Sequence, residues 1–250
     1  TGRSRARSRS SGTHRVSLQT KNRAVTLSAS GNPAGTTASF SAGAGDILLD
    51  QAGNNFINAG FTTTGNVTLI DTLGIDLVAS NVGGNLSVSS NGTITDSGNL
   101  AVAGMTSLTA LAANDITLDQ SGNNFANVTI VSGNNVTLTD TNAIGLNAST
   151  VSGNLTVSAS GTITDNGAII ANGTGTGAMF SAGNGNIILD IATNNFLAAG
   201  FNTTGNVTLA DINGVDLKAS STGNLSVTTT GAITDSGNLT VTGNTTLAAG

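Results

Sequence analysis

The sequence predicts an all-β fold, a right-handed parallel β-helix, on three observations. The first is a long repeat with a period of about 70 residues. "GDILLDQAGNNFINAGF" (45–61) returns as "NDITLDQSGNNFANVTI" (114–130) and "GNIILDIATNNFLAAGF" (185–201). "GNVTLIDTLGIDLVAS" (65–80) and "GNLSVSSNGTITDSGNL" (84–100) each recur twice more in the same order. The second is a shorter period inside the long one. Gly45, Gly65 and Gly84, spaced 20 and 19 residues apart, each precede Asn or Asp and then an alternating aliphatic segment. The third is composition. The chain of 250 residues has 34 Gly, no Glu and abundant Thr, Asn, Ser and Val, which disfavours helices and suits short strands joined by tight corners.

A segment such as Val67–Thr68–Leu69 puts two aliphatics on one face and Thr on the other. A unit of about 20 residues cannot bury that face alone, but stacked units can. The expected interior therefore contains the pairs Ile47/Leu49, Val67/Leu69, Leu86/Val88, Ile116/Leu118, Val136/Leu138, Leu155/Val157, Ile187/Leu189, Val207/Leu209 and Leu225/Val227. Phe56, Phe125 and Phe196, from the recurrent "NNF", form a second internal feature. An antiparallel β-sandwich is the competing architecture, but near-identical coils give it no hairpin pairing.

In order along the chain, residues 1–23 read as a basic leader, a disordered end or an upstream repeat translated out of frame. Residues 24–250 read as the β-helical body. Within it, 24–44 is a worn partial copy, 45–113 the first full copy, 114–184 the second and 185–250 a truncated third. The array is expected to continue beyond Gly250. At about 20 residues per coil and ~4.8 Å per coil, the body makes about 11 coils and a rod on the order of 50 Å.

Seven of the eight basic residues lie in the leader, and Lys218 alone lies beyond it. With 13 Asp, the body carries 1 − 13 = −12, which disfavours nucleic acid as a partner. There is no cysteine and a single His, His14, so thiol chemistry and a His cluster for zinc are ruled out, and the sequence shows no Ser/His/Asp set. No apolar run reaches membrane-spanning length.

The Asp residues are the candidates for chemistry. Asp96, Asp165 and Asp235 recur in "GTITDSGNL", "GTITDNGAI" and "GAITDSGNL". At three or four coils they stand about 14–19 Å apart, too far for the paired carboxylates of a glycosidase. They read as corners, each Asp bonding its own turn amides and the following Gly free to take positive φ. Asp50 and Asp71 are expected one coil apart and side by side, a geometry open to Ca²⁺, although that ion takes 6–8 oxygens. The Asn of each Gly-Asn corner is expected to stack in amide ladders. The same Asn write many Asn-x-Ser/Thr triplets, which a corner followed by a Thr/Ser strand produces without glycosylation. "TTT" at 62–64 and 228–230 raises an ice-binding ladder, interrupted here by Asn, Ala and Ser. No catalytic, cofactor-binding or metal-ligating residue is assigned.

The stretch "GNNFANVTIVSGNNVTLTDTNAIGLNASTVSGNLTVSASGTITD" (122–165) resembles the repeat region of filamentous-haemagglutinin-like large exoproteins, bacterial adhesins exported by two-partner secretion, to which autotransporter passengers are similar. The resemblance covers about 24–250 and rests on "NNF", "VTLTDT", "GNLTV" and "ITDSG" in order. It implies a non-enzymatic, monomeric β-helical shaft, secreted or at the cell surface outside the outer membrane, without cofactor. It also implies an outer-membrane transporter as export partner and a host glycan or protein as receptor. A carbohydrate-active β-helix enzyme and a Ca²⁺-stabilised passenger are the alternative readings.

Overall fold

The alternating segments form strands whose side chains point alternately inward and outward, as in Val67–Asp71, where Val67, Leu69 and Asp71 are buried. A computed structural model describes residues 17–19, 25–26, 37–173 and 177–250. Within them there is no helix and the strand pairings are parallel. One ladder passes from Val25 through Ile47, Val67, Leu86, Thr106, Val128 and Leu146 to Asp165. The pairing of Thr164 with Ile188 carries it on to Leu189, Leu209, Val227 and Leu247. The fold is a parallel β-solenoid of about ten turns.

The pairing begins inside the stretch read as leader, because Ser17–Gln19 lies parallel to Ser39–Ser41. The other leader residues, including His14, lie outside the described residues, as do most of 24–44.

The two repeats are out of phase, and this sets the architecture. Val67 lies on the ladder just traced. Its second-copy equivalent, Val136, lies on the other side, in the ladder Ile75, Ile94, Ile116, Val136, Leu155, Ala178, Ala199 and Leu217. Val207 of the third copy returns to the first side, two residues before Leu209. Seven coil steps separate Val67 from Leu209, so two copies fill seven coils and one copy fills three and a half. Successive copies therefore present the same residues on alternate sides.

All nine aliphatic pairs expected inside are at most 2% exposed. Phe56, Phe125 and Phe196 are buried with them, and in the outer two copies they belong to ring clusters. Phe40 meets Phe56 edge-on at 5.6 Å and stacks on Phe61 at 5.8 Å. Phe180 repeats this with Phe196 at 5.9 Å and Phe201 at 6.2 Å.

Corner glycines act differently from the expectation. Among the described glycines positive φ is confined to Gly43, Gly177 and Gly183; Gly98 is not one of them. Gly65 and Gly84 are needed for close approach of coils. A Cβ on Gly65 would lie 2.7 Å from the Gly45 carbonyl oxygen, and one on Gly84 2.7 Å from that of Gly65. A serine makes the second kind of bend. Ser80 Oγ donates to Val78 O at 2.8 Å and accepts from Phe61 N at 3.0 Å. Ser149 and Ser220 repeat both bonds with Asn147 and Ile130, and with Lys218 and Phe201.

Among the described residues two buried hydroxyls have no partner, Thr106 Oγ1 and Thr222 Oγ1. Thr222 follows Ser220 where the other copies place Val82 and Val151, both buried. Thr222→Val therefore removes an unsatisfied hydroxyl at constant shape, and stability rises by about 1–2 kcal/mol. The urea midpoint of the variant against the parent checks this, and an unchanged or lower midpoint contradicts it.

Candidate functional site

The chemistry-bearing side chains form three recurring arrangements. The first lies inside the coil. Asp71, Asp140 and Asp211 end the "VTLID", "VTLTD" and "VTLAD" strands pointing inward, and each is at most 2% exposed. One oxygen of each accepts the backbone N–H of the "NNF" phenylalanine, Phe56, Phe125 or Phe196, at 2.6 Å. The other accepts an N–H two residues on, from Leu73 at 3.0 Å and from Asn142 and Asn213 at 2.8 Å. Both bonds are charge-assisted; the first joins segments 15 residues apart in sequence, and the second closes the aspartate's own turn.

The second arrangement joins copies. Asp96 accepts from Asp119 N at 2.9 Å and from Asn123 Nδ2 at 2.6 Å, while Asn123 Oδ1 accepts Leu100 N at 2.8 Å. Asp165 and Asn194 do the same for the next junction: Asn194 Nδ2 donates to Asp165 at 2.6 Å and Asn194 Oδ1 accepts Ile169 N at 2.8 Å. The "ITD" aspartate of one copy thus holds the first "NNF" asparagine-rich turn of the copy that follows. The expectation that these Asp bond their own turns is corrected: their partners sit one coil further along. Asp235 is exposed.

The third arrangement is on the surface. Asn66 N donates to Asp46 Oδ1, Asn85 N to Asn66 Oδ1 and Met105 N to Asn85 Oδ1, at 2.7–2.9 Å. Asp115, Asn135 and Asn154 form the second such ladder, and Asn186, Asn206, Asn224 and Asn244 the third. The expected amide ladders are therefore present, each coil's side-chain oxygen capping an amide of the next.

Asp50 and Asp71 do not form a pair. Leu49 registers with Leu69, so Asp50 falls beside Ile70 on the outer side of the pleat while Asp71 points in. Asp50 instead accepts from Gln51 Nε2 at 3.0 Å. Lys218 pairs with Asp216 at 2.9 Å and donates to Ser236 Oγ at 2.9 Å. Among the described residues no group of three or more His, Cys, Asp or Glu side chains lies close enough to hold a metal ion.

Burial pushes Asp71, Asp140 and Asp211 above the ordinary carboxyl value, and the backbone N–H bonds offset only part of it. Burial raises Asp96 as well, against the bonds from Asn123, Asp119 and Gln120. A carboxyl whose folded pKa is raised binds its proton more tightly folded than unfolded. Its contribution to stability is complete below the unfolded value of 3.8 and is lost as pH rises through the folded value. Asp115 and Asp216 are lowered, chiefly by the Asn135 N–H and the Ser236 hydroxyl, and both lie at the surface, so they act in the opposite sense and only below 3.8. The solenoid should therefore have a higher urea midpoint at about pH 4.5 than at pH 7; a lower midpoint at the acid pH contradicts the assignment.

No curated protein and no solved structure matches the chain. A family described as repeats of unknown function (DUF5649) matches residues 8–63, 64–132, 133–200 and 204–250. Its units have nearly the same length as the copies read from the sequence but begin one coil later, which a periodic array permits. With almost every residue inside a matched unit, the chain belongs to this family of repeats of unknown function.

Proposed function

We propose that the chain is a length of non-enzymatic shaft in a bacterial exoprotein of the filamentous-haemagglutinin-like, adhesin type, secreted or held outside the outer membrane. The observation that carries this reading is that the interior carboxylates are taken up in structural hydrogen bonds, each including at least one from a neighbouring coil. Asp71, Asp140 and Asp211 accept two backbone amides each, and Asp96 and Asp165 hold the next copy's asparagine. Acidic groups used this way build length. A quasi-one-dimensional stack gains reach with each copy, since contacts run chiefly between adjacent coils. The outer surface of Thr, Ser and Asn suits a solvated rod, and the absence of cysteine from the whole chain suits export of an unfolded chain through an outer-membrane transporter to meet a host glycan or protein.

Protease treatment of intact cells of the source organism tests the location. The chain should be cleaved without lysis; resistance until the cells are broken would overturn the reading. Deletion of residues 114–184 tests the shaft. The third copy should follow the first as the second did, turned to the other side, giving a folded rod shorter by about 17 Å at ~4.8 Å per coil.

A further inference from the structure

Corner asparagines such as Asn66, Asn135 and Asn206 are tied into the amide ladders, but one outer column lies outside them. Ser41, Thr62 and Asn81 stand in register on successive coils, and the column continues to Ala101 and Asn124. Among the described residues the side chains of Ser41, Thr62 and Asn81 make no hydrogen bond, and Thr62 and Asn81 are exposed. A groove of about 380 Å³ lies over Ser41, Thr62 and Asn81. A second, of about 230 Å³, starts at Asn81 and runs over Ala101 to Asn124. Asn81 lines both, so the two form one trough along the rod axis. A third groove of about 280 Å³ lies over Asn202, Ser221 and Asn238, beside the same ladder, because Leu77, Asp96, Leu118, Leu138, Val157, Phe180 and Phe201 follow one another there.

We infer that this trough binds an extended, neutral glycan chain, one sugar residue to a coil. No charged side chain lines it, so it offers nothing to an anionic polymer or a cation. Its free groups are hydroxyls and a primary amide, which both donate and accept, the complement of a sugar's adjacent hydroxyls. The repeat of these groups along the axis, ~4.8 Å per coil, is close to the length of one pyranose in an extended chain. That favours a linear polymer lying along the rod over a compact or branched one. Without aromatic platforms in the trough each contact is weak, and the recurrence on one side of the rod supplies avidity. The inference rests on the glycan arm of the proposed reading and gives it a place and a chemistry; it is tested on the purified chain, so its failure leaves the shaft and its location untouched.

The test is an NMR titration of the ¹⁵N-labelled 250-residue chain with cellohexaose, mannohexaose and hexameric N-acetylglucosamine in turn, and with a heparin hexamer as anionic control. At least one neutral hexamer should shift the backbone amides of Ser41, Thr62 and Asn81 saturably. Asn81→Arg, which fills the shared point of the two grooves, should weaken that binding at least about tenfold. Thr62→Lys is the second variant, and the dispersed spectrum of each shows that it is folded. The inference is overturned if no neutral hexamer shifts these amides, if heparin shifts them equally, or if both variants bind like the parent.

Discussion

Replacing Asp140 by Ala lowers the unfolding free energy by about 3–5 kcal/mol. The carboxylate is buried at 2% exposure and accepts Phe125 N at 2.6 Å and Asn142 N at 2.8 Å. Its removal leaves two amides of the solenoid wall without their acceptor, one of them on the buried Phe125. Asp140→Asn keeps the shape and separates the two causes. Its Oδ1 still accepts one amide, but its NH₂ faces the other donor, so about 2 kcal/mol is lost. Asp46→Ala is the control. Asp46 also accepts a backbone amide, from Asn66 at 2.7 Å, but at an exposed corner where water replaces it, and the cost is below about 1 kcal/mol. Urea denaturation of the three variants ranks them; equal costs for Asp140→Ala and Asp46→Ala would refute the buried clamp.

This contrast shows which parts of the molecule were legible in the sequence. Val67 and Leu69 announce their burial by alternation, and the Gly-Asn corner announces a ladder by its spacing. Asp71 also sits in phase with Val67 and Leu69, two residues past Leu69, and that phase was the available signal that it points inward. The expectation that Asp50 and Asp71 lie side by side instead sets both on one face, one residue out of the observed register. The partner, Phe56 N, is 15 residues away and carries no side-chain signature, since a backbone amide looks the same in every residue. Asp96 was misread for a related reason. The Ser-Gly-Asn after it is a turn sequence in its own right, whereas its actual partner Asn123 lies 27 residues on. The recurrent asparagines of "NNF" were visible, but they were read only as company for the phenylalanine.

The half-coil offset could not be read from either period alone. A 70-residue repeat over coils of 19, 20 and 22 residues, as from Val67 to Leu86, Thr106 and Val128, leaves a remainder that depends on every bulge and longer turn between copies. One register shift, between Leu108 and Thr109, is enough to move the remainder by a residue. The offset has a functional consequence. Features of a single copy face the same way only in alternate copies, which is why the grooves at Thr62 and Asn202 share a side.

Replacing Phe180 by Ala costs about 3–5 kcal/mol, and the loss is local. Phe180 is 1% exposed and is the shared ring of its cluster, edge-on to Phe196 and stacked on Phe201. It also registers between Val157 and Phe201 in successive coils, so one truncation opens a void touching three coils. The rings cannot close it, because their backbones are pinned: Phe196 N by Asp211 and Phe201 N by Ser220 Oγ. In a stack of nearest-neighbour contacts the rest of the rod is not obliged to follow. Hydrogen exchange should therefore show amides of about 178–211 losing protection while those of the first copy, around the intact Phe40, Phe56 and Phe61 cluster, keep theirs. The central copy has Ile130 where its neighbours have Phe61 and Phe201, and among the described residues no ring pair forms around its Phe125. Phe180 makes two ring pairs, each adding about 0.5–1.5 kcal/mol beyond burial, so Phe125→Ala should cost less than Phe180→Ala by about 1–3 kcal/mol. A uniform loss of protection along the whole rod in either variant would show that the solenoid unfolds as one unit and that its coils are coupled far beyond their neighbours.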